Sequence, residues 1–211
     1  MVAAANIYAN ALVKAFAGDI NLTSDTLKMA LLGSGYTPNL VTDAEFSTIR
    51  SHEISGTGYT QDGVTLTGVS LTLTAANSWT VSWAALTNYA YGQVVIPDTP
   101  NGFLYRCVAG GTSDGSAPSF PTVVGETVVD NGVTWACMGD AILVFTSNPA
   151  EWISATFTAS YAVIYDAESG TYTTEPLILL ETFAAPAAPD GQDYEVVPDP
   201  TLGWMYFSPP S

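Results

Sequence analysis

Tyr89, Tyr91, Tyr105, Phe120 and Trp135 stand in one stretch punctuated by glycine and proline, and the chemistry they share is stacking. Sugar rings present flat C–H faces, so aromatic rings held on one exposed side of a small sheet make a saccharide platform. A unit of about 50 residues also needs rings for its own core, and the two demands compete. Tyr91 and Phe120, next to Gly92 and Pro121 in loop-like surroundings, are the rings expected in solvent. Trp135, on a strand near Cys137, is expected inside, and both roles stay open for Tyr89 and Tyr105.

Cys107 and Cys137 are the only cysteines, and both fall in this stretch on segments that should be strands. A disulfide across neighbouring strands would stabilise so small a core by about 2–4 kcal/mol in an oxidising medium. Two buried thiols are the alternative, favoured by assembly in a cytoplasm. Two cysteines without a nearby histidine cannot complete a zinc shell, so no metal or cofactor is expected.

His52 is the sole histidine, flanked by Ser51, Glu53 and Ser55. Neighbours in sequence do not make a triad, which needs nucleophile, base and orienter to converge in space, and no Gly-x-Ser-x-Gly elbow is present. Asp114, Glu126, Asp130, Asp166 and Glu168 fall in turn-like segments, where turn chemistry explains them better than a pair of opposed catalytic acids. A non-enzymatic protein is expected.

Twenty acidic residues against Lys14, Lys28, Arg50 and Arg106 give a formal charge of -16. Such a chain repels a phosphate backbone, which argues against nucleic acid as a partner. No apolar run approaches the roughly 20 residues that span a bilayer, and Met1–Ala17 lacks the basic start of an export signal. Hydrophobic residues make up 47% and charged residues 11%, enough apolar surface for a folded core.

The elements that must position these residues are mostly strands. Tyr8, Leu12 and Phe16 lie four apart, so with Ala5, Ala11 and Ala15 they are expected to give an early helix one apolar face, ended by Gly18-Asp19. Leu27–Leu32, Val64–Leu66 and Val69–Leu73 read as strands, and Trp79–Trp83 continues the alternation. Further strands are expected at Ile142–Phe145, Ala155–Tyr165 and Leu177–Phe183, the second apolar on both faces and therefore central. A short helical turn fits Asp43–Ile49, and Asn131-Gly132 is a hairpin signal. Glu195–Val197 and Trp204–Phe207 read as short strands, with Ala184–Asp190 as a proline-rich connection. Asp190, Asp193, Glu195 and Asp199 could offer oxygens to Ca²⁺, but their spacing fits a solvated acidic loop better.

The run Trp83, Tyr89, Gly92, Val94-Val95, Gly102 to Cys107, Gly110, Gly115, Pro118, Phe120-Pro121 and Val133-Thr134-Trp135 resembles the small carbohydrate-binding modules of chitinases. It is still more similar to the version of that module embedded in tailed-phage virion proteins. The resemblance covers about a quarter of the chain, and implies either glycan binding or a compact spacer.

The flanking halves, joined, resemble a family of small structural proteins encoded in tailed-phage morphogenesis regions. The residues that carry this are Ala9-Asn10-Ala11 to Phe16, Gly18-Asp19-Ile20, Lys28 to Leu32, Tyr36 to Asn39, Gly58-Tyr59-Thr60, Gly63 to Thr67, Trp152, Ala155 to Ala159, Tyr161 to Asp166, and Pro176-Leu177-Ile178. The segment Pro186–Pro200, rich in proline and acid, departs from that family's usual close.

Together these readings predict a mainly β chain with an N-terminal helix. A β-sandwich-like host domain, 1–84 plus 140–211, would carry a small three-stranded β-module, 85–139, inserted at a hairpin tip. The resemblance implies a capsid decoration or cement subunit, present in multiple copies in the virion after assembly in a host cytoplasm. Its partners would be the major capsid protein or other virion subunits. The alternative is a tail- or fibre-associated adhesin that binds cell-surface polysaccharide through Tyr91, Phe120, Tyr89, Tyr105 or Trp135 during host attachment. A wall-degrading enzyme is disfavoured for want of an active site.

Overall fold

The computed structural model describes residues 5–207. At 44% strand and 11% helix, sheets carry the cores, and the helical part includes one helix near the N-terminus. The chain divides into two compact units, 1–70 with 146–199 and 71–145 with 200–211. The second unit is broader than residues 85–139, because it takes in the strand before that stretch, the strand after it and the C-terminal segment.

The first unit is built on a five-stranded antiparallel sheet in the order Ala5–Ile7, Leu177–Ala187, Ala159–Asp166, Leu27–Leu32 and Val64–Thr65. Its middle strand is apolar on both faces because both are covered. On one side Val163 and Tyr165 meet Tyr8, Ala11, Phe46 and Ile49, with the Phe46 and Tyr165 rings stacked 4.0 Å apart. A two-stranded sheet of Ala150–Thr156 and Asp190–Val196 supplies an aromatic cluster in which Trp152, Phe157 and Tyr194 meet mostly edge to face. The result is β-sandwich-like.

The expected strand Ala155–Tyr165 is two strands, Ala150–Thr156 and Ala159–Asp166. Thr156 pairs with Asp190 and Ala159 with Ala187, so the chain changes sheets between them. The expected connection Ala184–Asp190 is also largely strand, with Leu177–Ala187 running through Pro186. Pairing there is reduced to Ala159 opposite Ala187 beyond a register shift, which frees the backbone position that proline cannot serve. Gly63 is required by close approach, since a Cβ there would collide with the carbonyl of Met29.

The N-terminal helix spans Ala9–Ala17 and ends at Gly18, whose left-handed φ of 82° turns its N–H back to Ala15 and Lys14. Only part of the expected apolar face is buried. Tyr8 is buried as the N-cap residue and Ala11 is the buried residue within the helix, whereas Leu12, Val13 and Phe16 face solvent, Phe16 at 90% exposure. Tyr8 can enter the core because it precedes the first turn, where its hydroxyl meets that of Tyr36. None of the described helices is long and apolar enough to cross a membrane.

In the second unit the principal sheet has four strands, one more than expected, in the order Val94–Val95, Leu104–Ala109, Val133–Gly139 and Thr127–Asp130. Its faces bury separate clusters. One holds Trp83, Tyr89, Val95, Tyr105, Cys107, Val133, Trp135 and Cys137. The other joins Val94, Leu104 and Met138 to Ala76, Ile142 and Leu202. Strand alternation explains the division, because Tyr105 and Cys107 point one way and Leu104 and Arg106 the other. A three-stranded sheet orders Met205–Phe207, Ala141–Thr146 and Ser70–Ala75. Trp79–Trp83 is not a regular strand; Ser82 makes a single bridge to Ile96.

Candidate functional site

The five candidate rings separate sharply. Tyr105 and Trp135 are fully buried and Tyr89 nearly so, which removes all three as platform residues. The cause is the shortage of core in a small unit: Tyr89 packs edge to face on Trp135 with ring centres 4.8 Å apart. Their polar ends are satisfied inside, Tyr105 donating to the Pro121 carbonyl at 2.8 Å and the Tyr89 hydroxyl accepting from the Ala84 N–H at 2.7 Å. Phe120 is half-buried, 4.5 Å from the Tyr105 ring, and closes the edge of the cluster instead of standing free. Tyr91 alone of the five is open, at 66% exposure.

Asp130 holds the buried cluster together. It is 2% exposed, and one carboxylate oxygen accepts both the Trp83 indole N–H at 2.7 Å and the Trp135 indole N–H at 2.9 Å. Its other oxygen accepts the Asp114 backbone N–H at 2.9 Å. In sequence Asp130 passes for a turn residue, because it directly precedes Asn131-Gly132. Asn131 does take a left-handed φ of 53° in the hairpin between Thr127–Asp130 and Val133–Gly139.

The expected disulfide is not formed. Cys107 lies opposite Trp135 and Cys137 opposite Tyr105, so the two cysteines are diagonal neighbours and both thiols are free. Diagonal positions stand about 7–8 Å apart, at or beyond the reach of an S–S bond. Burial pushes both thiols above the usual cysteine range, which leaves them poor nucleophiles.

Arg106, on the opposite face of the same sheet, pairs through its strand with Val94 and Ala136. Its guanidinium carbon sits 4.8 Å from the centre of the Tyr91 ring and 5.6 Å from that of Tyr206. One terminal nitrogen donates to the Tyr206 hydroxyl at 3.0 Å, whereas Nε is buried with no hydrogen-bond partner among the described residues. Neither of the two ion pairs among the described residues, Lys14–Asp19 and Arg50–Asp62, involves Arg106. Tyr91, largely exposed and with a guanidinium over its ring, is a ring on which a sugar can stack. Alternation around Tyr105 and Cys107 could have placed Arg106 on the outer face. Nothing in sequence brings Tyr206 to it.

The polar residues of the first unit serve one another. His52 is exposed on a short 3-10 turn, with Tyr36 as its ring neighbour at 5.6 Å. Arg50 donates to Asp62 at 3.0 Å and to the Tyr172 hydroxyl at 3.2 Å. Tyr59 donates to Glu53 at 2.7 Å. Burial is the main cause holding Glu53 above the usual carboxylate range and also raises Tyr59. This network fastens the Glu53–Asp62 loop to the sheet. Asp193, from the acidic segment, accepts the Ser154 N–H at 2.8 Å within the paired strands. Among the described residues no group of three or more His, Cys, Asp or Glu is arranged to hold a metal ion. No family, curated protein or solved structure matches the chain.

Proposed function

We propose that the chain is a non-enzymatic surface subunit of a tailed-phage virion, a decoration or cement protein that docks on the capsid shell through its N-terminal helix. The observation that carries this is the outward stripe of Leu12, Val13 and Phe16 on a helix that buries Ala11 alone. An apolar stripe of this kind calls for a covering partner. The residue-by-residue resemblance to morphogenesis-region proteins supplies the partner, the major capsid protein.

Phe16→Glu is expected to leave the melting temperature unchanged, because exposed substitutions usually shift stability by no more than about 0.5 kcal/mol. It is expected to strip the subunit from particles. Cryo-electron microscopy of virions carrying each form reads the outcome: wild type spread over the head in many copies, the variant lost. Full occupancy by the variant, or a few copies confined to the tail, would overturn the decoration reading.

The exposed Tyr91 ring backed by Arg106 favours a second reading, an adhesin that engages cell-surface polysaccharide. Tyr91→Ala is expected to abolish retention on chitin, peptidoglycan or arrayed glycans while costing about 1 kcal/mol or less, the worth of a surface cation–π contact. If the wild-type chain binds none of these surfaces, the adhesin reading fails.

A further inference from the structure

A recess lies in the first unit. It has a volume of about 270 Å³ and sits where the Leu177–Ala187 strand meets the Asp190–Val196 strand. Phe183 and Tyr194 form two of its walls, their rings 6.3 Å apart and set at 75°. Ala184, Ala185 and Ala187 leave the space that larger side chains would fill.

Two acids line it. Glu195 is exposed, but Glu181 is only 5% exposed on an inner strand, opposite Ala162 on one side and Ala5 on the other. A carboxyl in such a position is costly unless something pairs with it. Among the described residues no Lys, Arg or His lies within ion-pair distance of Glu181. Burial is the larger cause and pushes its carboxyl up to about 7, against a smaller downward pull from the amino terminus.

We propose that this recess binds an organic cation, an alkylammonium or guanidinium head such as a lysine or arginine side chain carries, with Glu181 as counter-ion and Phe183 and Tyr194 as aromatic walls. The recess supplies both halves of cation recognition, aromatic rings in its wall and a carboxyl in a poorly solvated position. A recess of about 270 Å³ has room for a head group and the end of its stem. Two lining acids and a net charge of -16 exclude an anion, and the carboxyl makes a purely apolar guest a poor match. A basic side chain on a docking partner is the source the net charge favours, and this site stands whether or not Tyr91 binds sugar.

The test is a titration of the full chain with n-butylammonium and with n-butanol as its neutral counterpart, followed by amide NMR shifts of Ala184, Ala185 and Ala187. Saturable shifts are expected with butylammonium, at concentrations about tenfold below those needed for butanol, a discrimination of about 1.4 kcal/mol. Glu181→Gln keeps the side-chain shape and is expected to bring the two probes level. Equal responses of the wild type to both probes, absence of saturation, or a cation preference retained in Glu181→Gln would each overturn the proposal. Acetyl-lysine methylamide and spermidine, tried in turn, tell a protein side chain from a free polyamine as the source. Binding of either supports the site.

Discussion

Asp130→Ala is expected to be the most damaging single substitution in the second unit, lowering its stability by about 3–5 kcal/mol. Hydrogen bonds to a charged group contribute about 1.5–3 kcal/mol each, and orphaned buried donors add their own desolvation cost. The change leaves three donors without their acceptor, the indole N–H groups of Trp83 and Trp135 and the backbone N–H of Asp114. The contributions are not additive, since one carboxylate serves them all. Asp130→Asn, which keeps one oxygen acceptor, should fall between wild type and Ala. Urea denaturation followed by tryptophan fluorescence measures the series. An Ala variant within about 1 kcal/mol of wild type would mean that the clamp contributes little.

Glu181→Gln is expected to leave stability unchanged near pH 4.5 and to raise it progressively above wild type as pH climbs to about 7 and beyond. The ordinary value of the group is 4.5, and burial raises it to about 7 in the folded chain. Between those values the native state holds a proton that the unfolded state has released. The stabilisation is therefore complete below about pH 4.5 and is lost as pH climbs through about 7. The difference corresponds to about 3 kcal/mol. Glutamine stays neutral throughout, so the variant should match wild type near pH 4.5 and exceed it by up to that amount near pH 8.5. Urea midpoints at the two pH values decide it. A difference between variant and wild type that does not change with pH would remove the buried-carboxyl explanation.

Local rules carried the elements they apply to. Gly18 ends the helix, Asn131-Gly132 turns a hairpin, and the doubly apolar run around Val163 is a central strand. What those rules omit is the direction of packing. The spacing of Leu12 and Phe16 identifies a stripe, but only the neighbouring sheet decides which side of the helix is covered, and it covers Ala11. Pro186 looked like a break because its tolerance depends on pairing with Ala159 and Ala187, which lies outside any local window. At the candidate face Tyr91 could be read as exposed from Gly92 beside it. Arg106 and Tyr206 are 100 residues apart and could not be read as partners. Asp130 was hidden by its own versatility, since a residue preceding a hairpin needs no further reason to be Asp.

Neither unit is contiguous along the chain, and this sets an order of events during synthesis. A ribosome that has reached Asp199 has made all four strands of the second unit's principal sheet. Leu202, Trp204 and Met205, buried on folding, are still to come, and so is Met205–Phe207, which lines the edge of Ala141–Thr146. Until then Ile142 and Met138 lack part of their cover. The first unit waits in the same way for 146–199 before its central strand exists. The first unit's core and the Ile142 face of the second unit therefore close late and almost together. The nascent chain is held in solution meanwhile by its acidic surplus, well before any packing can hide its apolar strands.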